Sequence, residues 1–269
     1  MRATRLPAAI LLGASAITLP GSAGAHEFWI EPQTFTPAPS QALRIGLRVG
    51  ERLLGEPVRR ETVKIRRFEL VSESGASQVV GRDGGSQSFA RAAGPGAHVI
   101  VYQSNPQPIS FAPADFAKYA REEGLSHIVA QSTAPAEAGV VREVYTRCAK
   151  SIVVFGDGPG ADRRVGLPLE IIAERPATPG AATRGFRVVF ESAPLVDATV
   201  VACRRGEPTR LLRAQTDSNG AVTLPISQGD DWIVTTIHMT RAAPELTAAW
   251  HSYWASLTFQ VPAAVDSAD

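Results

Sequence analysis

The chain has 269 residues, 44% of them hydrophobic and 20% charged, with 27 lysines and arginines against 26 acids and a formal net charge of +1. That balance lacks the basic excess by which nucleic-acid and anionic-membrane binders are recognised, and the apolar content is ample for packed cores. Lysine occurs only at Lys64, Lys118 and Lys150, the remaining positive charge being arginine.

Residues 1–25 read as a secretory leader. Arg2 and Arg5 precede an apolar run from Leu6 to Leu19 that Pro7 and Gly13 interrupt, and Ala23-Gly24-Ala25 supplies the small-x-small cleavage pattern. The run is too short for a membrane span. The expectation is an exported, periplasmic protein whose mature chain starts at His26, with no membrane insertion. A histidine that also carries the free α-amine offers two nitrogen donors from one residue, and a third nitrogen would complete a histidine brace around a metal ion.

From His26 onward the texture is that of a β protein. Glu27-Phe28-Trp29-Ile30 is a short strand closed by Pro32, and Leu43, Ile45, Leu47 and Val49 alternate with Arg44, Gly46 and Arg48. Further strands are expected at 65–71, around 78–80 and at 97–103. Pro113 breaks the pattern: Ala114 to Glu123 carries helix formers with Phe116, Tyr119 and Ala120 at helical spacing, and Gly124 is a stop signal. Residues 131–139 are loop-like, 140–155 returns as one long strand or two pieces, and Gly156 to Gly160 is the clearest break in the chain.

The second half resolves into strands at 168–173, 185–191, 198–204, 221–225, 232–239 and 253–261, with a tight hairpin at Asp217-Ser218-Asn219-Gly220. That turn also resembles a calcium loop, but it lacks the later acidic ligands that an EF-hand needs. The fold expected is mainly β: two immunoglobulin-like β-sandwich domains with one short helix between them. The divisions are an N-terminal sandwich over 26–112, a helix and linker with a returning strand over 113–160, a C-terminal sandwich over 161–262 and a disordered tail at 263–269.

Imidazole is limited to His26, His98, His127, His238 and His251. His238 ends the strand 232–239 and His251 opens the last one, so an antiparallel pairing of the two brings both to one end of a sheet, where they could share a metal. His26, His238 and then His251 are the candidate metal ligands. His98 reads as a solvent-facing strand residue and His127 as a loop residue. Cys148 and Cys203, the only cysteines, permit one disulfide in an oxidising compartment, but spacing cannot show that they meet. No Gly-x-Ser-x-Gly elbow, His-Glu-x-x-His, phosphate loop or Cys-x-x-Cys is present, so no enzyme is expected from motifs.

Five segments together resemble an exported family of unknown function that is grouped with the periplasmic substrate-specific components of nickel and cobalt uptake systems. They are His26-Glu27-Phe28-Trp29-Ile30-Glu31-Pro32, Arg48-Val49-Gly50-Glu51, Tyr145-Thr146-Arg147-Cys148-Ala149-Lys150, Ile237-His238-Met239 and Ser252 to Phe259. The resemblance implies a periplasmic metal-handling protein with a site made from the His-acidic-Phe-Trp start and the late His-Met segment, which carries over to His26 and His238 only. A nickel, cobalt or copper ion is the expected cargo and a membrane metal transporter the expected receiver. A copper-dependent oxidase acting on a polymer and a metal-free structural or adhesion module of the envelope are the competing classes.

Overall fold

The computed structural model describes residues 27–131, 139–175, 181–226 and 229–262. His26, the leader and the tail therefore lie outside the described residues.

In chain order the first strands are β1 (Glu27–Pro32), β2 (Leu43–Glu51), β3 (Leu54–Pro57), β4 (Ile65–Ser72), β5 (Gly75–Gln78), β6 (Gln87–Ala90), β7 (Gly96–Ser104) and β8 (Gln107–Phe111). Two helices follow, α1 (Pro113–Glu122) and α2 (Ser126–Gln131), and then β9 (Val141–Phe155) and β10 (Leu169–Ala173). The chain continues through β11 (Arg184–Phe190), β12 (Ala193–Pro194), β13 (Thr199–Arg204), β14 (Leu211–Gln215), β15 (Ala221–Leu224), β16 (Asp230–Arg241) and β17 (Trp250–Val261).

These strands build a long sheet in the order β14-β13-β16-β17-β9-β7-β4-β5, with β8 beside β9, and two four-stranded sheets. Each small sheet packs on one face of the long one. On one face Ile30, Leu43, Ile45 and Leu47 meet Phe68, Leu70, Ile100, Val153 and Phe155. On the other, Leu169, Ile171, Phe186, Val188 and Leu224 meet Val101, Cys148, Val200, Val234, Leu257 and Phe259. The alternation in β2 is the cause at its own position: Leu43, Ile45 and Leu47 are buried and Arg44 is exposed. β9 runs as one strand of 15 residues, and its last eight are all buried because both faces are covered. The architecture is mainly β with sandwich packing, as expected, and the two packings share the long sheet.

The join between the halves is the parallel pairing of β17 with β9, from Trp250 beside Glu143 to Thr258 beside Ser151. Beside it, β16 and β17 form a long antiparallel hairpin in register from Asp230–Val261 to Arg241–Trp250. The strand β14, the short strands β3, β6, β8 and β12, and the helix α2 had no clear signal in the sequence. The Asp217 turn is the expected hairpin: Asp217 Oδ1 accepts the N–H groups of Asn219 and Ala221, both at 2.8 Å, leaving a turn that needs no metal. No helix among the described residues is long and apolar enough to cross a membrane.

A buried charge cluster ties β9 to the β10 layer. Lys150 is 1% exposed, and its ammonium lies 2.9 Å from Asp162 Oδ1 and 3.0 Å from Glu170 Oε1, both acids being 0% exposed. It also donates to the carbonyls of Arg163 and Ile171 at 2.9 and 3.1 Å. Glu170 accepts the N–H groups of Val165, Gly166 and Leu167, so the carboxylate that offsets the lysine is itself held by the incoming loop.

Candidate functional site

The β2–β3 hairpin turns at Arg52 and Leu53 with φ of 58° and 62°. Positive φ at both central residues is the primed turn that suits strand twist, although it costs a non-glycine residue about 1–2 kcal/mol. Two contacts hold it. The Arg52 N–H donates to Glu27 Oε2 at 2.6 Å, and Leu53 is buried with Trp29, Cys203 and Ile233. Gly55 lies so close to β2 that a Cβ there would sit 2.3 Å from the Val49 carbonyl and 2.7 Å from the Trp29 ring. The hairpin thereby presents Glu51 and Arg52 beside Glu27.

Opposite stands the end of α1. The helix starts on Pro113, buries Phe116, Tyr119 and Ala120, and ends at Gly124 in the left-handed region. A Cβ on Gly124 would come within 2.8 Å of Thr199 Oγ1, so only glycine lets the helix end rest on β13. This seats Glu122 and Glu123 at the helix C-terminus, where the macrodipole already favours cations over anions.

Between hairpin and helix lies a cavity of about 260 Å³, lined by Glu27, Glu51, Glu122 and Glu123 against Arg52 and Arg213, with Thr235, Ile237, Trp254 and Ser256 from the long sheet behind. Four carboxylates face two guanidinium groups. Burial raises the Glu123 carboxyl to about 7, with Arg213 opposing and Glu27, Glu122 and Glu51 adding. Burial likewise raises Glu27, against the Arg52 N–H that lowers it.

The sequence-derived ligands are divided. His26 lies outside the described residues, and Glu27, which follows it, lines the cavity. His238 and His251 do come to one end of the β16–β17 hairpin, with His238 opposite Tyr253 and His251 opposite Thr240. Side chains two apart share a face, so His238, Tyr253 and His251 all point toward the β11 layer, away from the cavity that Ile237 lines. His238 packs 4.4 Å from the Phe190 ring and 6.5 Å from that of His127, and burial, then His127, pushes it down to about 4. β13 pairs with β16 only as far as Thr236, which leaves His238 on a strand edge that His127 of α2 approaches. Both nitrogens of His251 are engaged, Nε2 with the Thr146 hydroxyl at 2.8 Å and Nδ1 with the Tyr253 hydroxyl at 3.0 Å. His98 is 3% exposed, not solvent-facing, and stacks edge-on with Phe155.

Among the described residues no three His, Cys, Asp or Glu side chains converge as a ready metal site. Cys148 and Cys203 are free and buried. They sit three strands apart in the long sheet, roughly 14 Å at strand spacing, and beyond bridging reach. Little in the local pattern warns of the cavity, because its lining is drawn from six strands, a hairpin turn and a helix end. The one local signal is the pair Glu122-Glu123 at the unfavourable end of a helix.

A second buried polar group lies beside the cavity. The Ser252 hydroxyl donates to Glu143 Oε1 and receives the Trp254 indole N–H at 2.9 Å, while Glu143 Oε2 is buried without a hydrogen-bond partner. Burial raises Glu143 to about 7. The Arg147 guanidinium lies 4.8 Å from the Trp254 ring and 5.0 Å from that of Tyr145.

Comparison with known proteins gives a family and distant structural likenesses. No curated protein matches the chain. Among solved structures, the D0-D1 domain of intimin is 13% identical over 87% of this chain and 97% of its own, with a TM-score of 0.22. The BSP domain of a biofilm-associated protein is 8% identical over 89% of this chain and 30% of its own, with a TM-score of 0.21. Residues 23–240 match the domain of unknown function DUF4198, a span that takes in the cavity's hairpin, helix end and β13–β16 wall, and the chain belongs to that family.

Proposed function

We propose that the protein captures a divalent transition-metal cation, nickel, cobalt or copper, at the glutamate cavity and holds it for delivery on the exported side of a membrane. The observation that carries this reading is the excess of carboxylates gathered around Glu27, one residue after the histidine at which the sequence places the mature N-terminus. Glu27 and Glu123 supply oxygen donors, and His26, once its α-amine is free, supplies an amine and an imidazole nitrogen. Mixed nitrogen and oxygen donors suit nickel, cobalt and copper, with affinity rising toward copper.

The residues divide the work. The Arg52 N–H fixes one oxygen of Glu27 and leaves the other for the cation. Arg213 tempers the repulsion that Glu123 feels from Glu27, Glu122 and Glu51. A bound cation displaces the proton that Glu123, raised to about 7, holds near neutral pH, and the α-amine, with an ordinary pKa of about 7.7–8.0, must also lose its proton. Affinity therefore falls in acid, and the protein would release its cargo as pH drops.

Calorimetric titration of nickel, cobalt and copper into the mature chain tests the cavity. Glu27→Gln with Glu123→Gln, in one variant that keeps the fold, should weaken binding by at least tenfold. Unchanged affinity in that variant would remove the cavity from the account.

A further inference from the structure

We infer that Lys150 and Asp162 form an intramolecular amide, with Glu170 carrying the proton, so that β9 is covalently tied to the loop entering β10. This modification site is independent of the metal reading. Three groups of the required kinds meet out of water: an amine, a carboxyl carbon and a second carboxylate. Lys150 Nζ lies 2.9 Å from Asp162 Oδ1 and 3.0 Å from Oδ2, which holds the nitrogen against the carboxyl group, and Glu170 Oε1 is 3.0 Å from the same nitrogen. Exposure is 1% or less for all three.

The surroundings favour the reaction on two counts. The N–H groups of Arg163 and Ala173 donate to Asp162 Oδ1 and Oδ2 at 2.7 and 2.8 Å, so whichever oxygen stays on the carbon already has a donor as negative charge develops. Arg184 adds a positive field: it couples electrostatically to Asp162, stacks 4.1 Å from the Phe259 ring, and keeps buried Nε and Nη1 atoms that have no hydrogen-bond partner. Held in contact, the amine and carboxyl need no encounter. In water the ions are stabilised by hydration and condensation is uphill. Buried here, they have lost that hydration, and a neutral amide removes one ion pair from the low-dielectric interior.

The step balances without a co-reactant. Glu170 takes one proton from the Lys150 ammonium, and the freed nitrogen lone pair attacks Cγ of Asp162 to form the C–N bond. One carboxylate oxygen leaves with two protons, the one relayed by Glu170 and a second from the nitrogen, as a single water. The amide keeps the third proton, Glu170 returns to its carboxylate form, and nothing is oxidised or reduced.

The test is the mass of the purified, denatured full chain against its sequence from the observed N-terminus. The expected result is a deficit of one water that survives reduction, together with a tryptic fragment Cys148–Arg163 that resists cleavage after Lys150. Glu170→Gln should restore the full mass and the cleavage. Should that variant fail to fold, the wild-type fragment decides alone. Full mass in the wild type overturns the proposal. So does a water deficit in a chain that is still cut after Lys150, which would place the loss at a cyclised Asp157-Gly158.

Discussion

Ile237 and His238 are adjacent in β16 and face opposite layers: Ile237 lines the glutamate cavity, and His238 lies against Phe190 on the other side of the sheet. The period-two rule of a strand enforces this separation, which splits the late His-Met segment from the acidic start of the chain. His238→Asn should leave nickel and copper affinity within about twofold of wild type, while removing the Glu27 and Glu123 charges lowers it by at least tenfold. Parallel titrations of the two variants check the division. A large loss in His238→Asn would move the site to the other face.

The buried titratable groups give stability two opposite slopes with pH. Glu143 has a folded value of about 7 against an ordinary 4.5, so the folded state holds its proton more tightly than the unfolded one. Its contribution is present at low pH and is lost as pH rises from about 4.5 through 7. A shift of this size corresponds to roughly 3 kcal/mol. Glu143→Gln keeps an acceptor for Ser252, and its urea midpoint should fall less than that of wild type between pH 5 and 8. His238 works the other way: its value near 4 means that stability is lost as pH falls from 6.5 through 4. His238→Asn should flatten that acid limb.

Neither cysteine should react in the native protein. Burial pushes the Cys148 thiol up to about 12 and raises that of Cys203. The thiolate is the reactive form, so a thiol-specific reagent should label the folded chain slowly and both sites promptly in denaturant. Reduction before labelling should not change the count, since the two thiols are held three strands apart. Fewer than two labels in denaturant without reduction would contradict the pairing of the strands between them.

The hairpin that frames the cavity depends on a close approach at Gly55. Gly55→Ala places a methyl group against the Val49 carbonyl and the Trp29 ring, neither of which can withdraw without opening the strand pair. The expected cost is about 1–3 kcal/mol, read from the denaturant midpoint, with a drop in metal affinity as Glu51 and Arg52 shift. An alanine variant as stable as wild type would mean that the hairpin is looser than described.

Much of the fold could be read locally. The alternation of Leu43, Ile45 and Leu47, the helix stop at Gly124 and the Asp217 turn each depend on neighbours in sequence, and each appears where its pattern placed it. The β16–β17 hairpin did bring His238 and His251 to one end of a sheet. Pairing of β17 with β9 was not legible, because a parallel register between residues about a hundred apart leaves no local pattern. The cavity was hidden for the same reason. Lys150 offered a faint signal, as one of three lysines in a chain that otherwise uses arginine. An ammonium is a compact charge that can be enclosed by two carboxylates and two carbonyls.

In the proposed cation site, a mature N-terminal histidine next to Glu27 supplies the nitrogen donors. The direct measurement is nickel and copper affinity for the chain beginning at His26, set against the same chain bearing one extra alanine before it. An added residue converts the α-amine into an amide and leaves every glutamate in place. A loss of at least tenfold is expected for the extended chain. Equal affinity in the two would rule out a ligand role for the His26 amine.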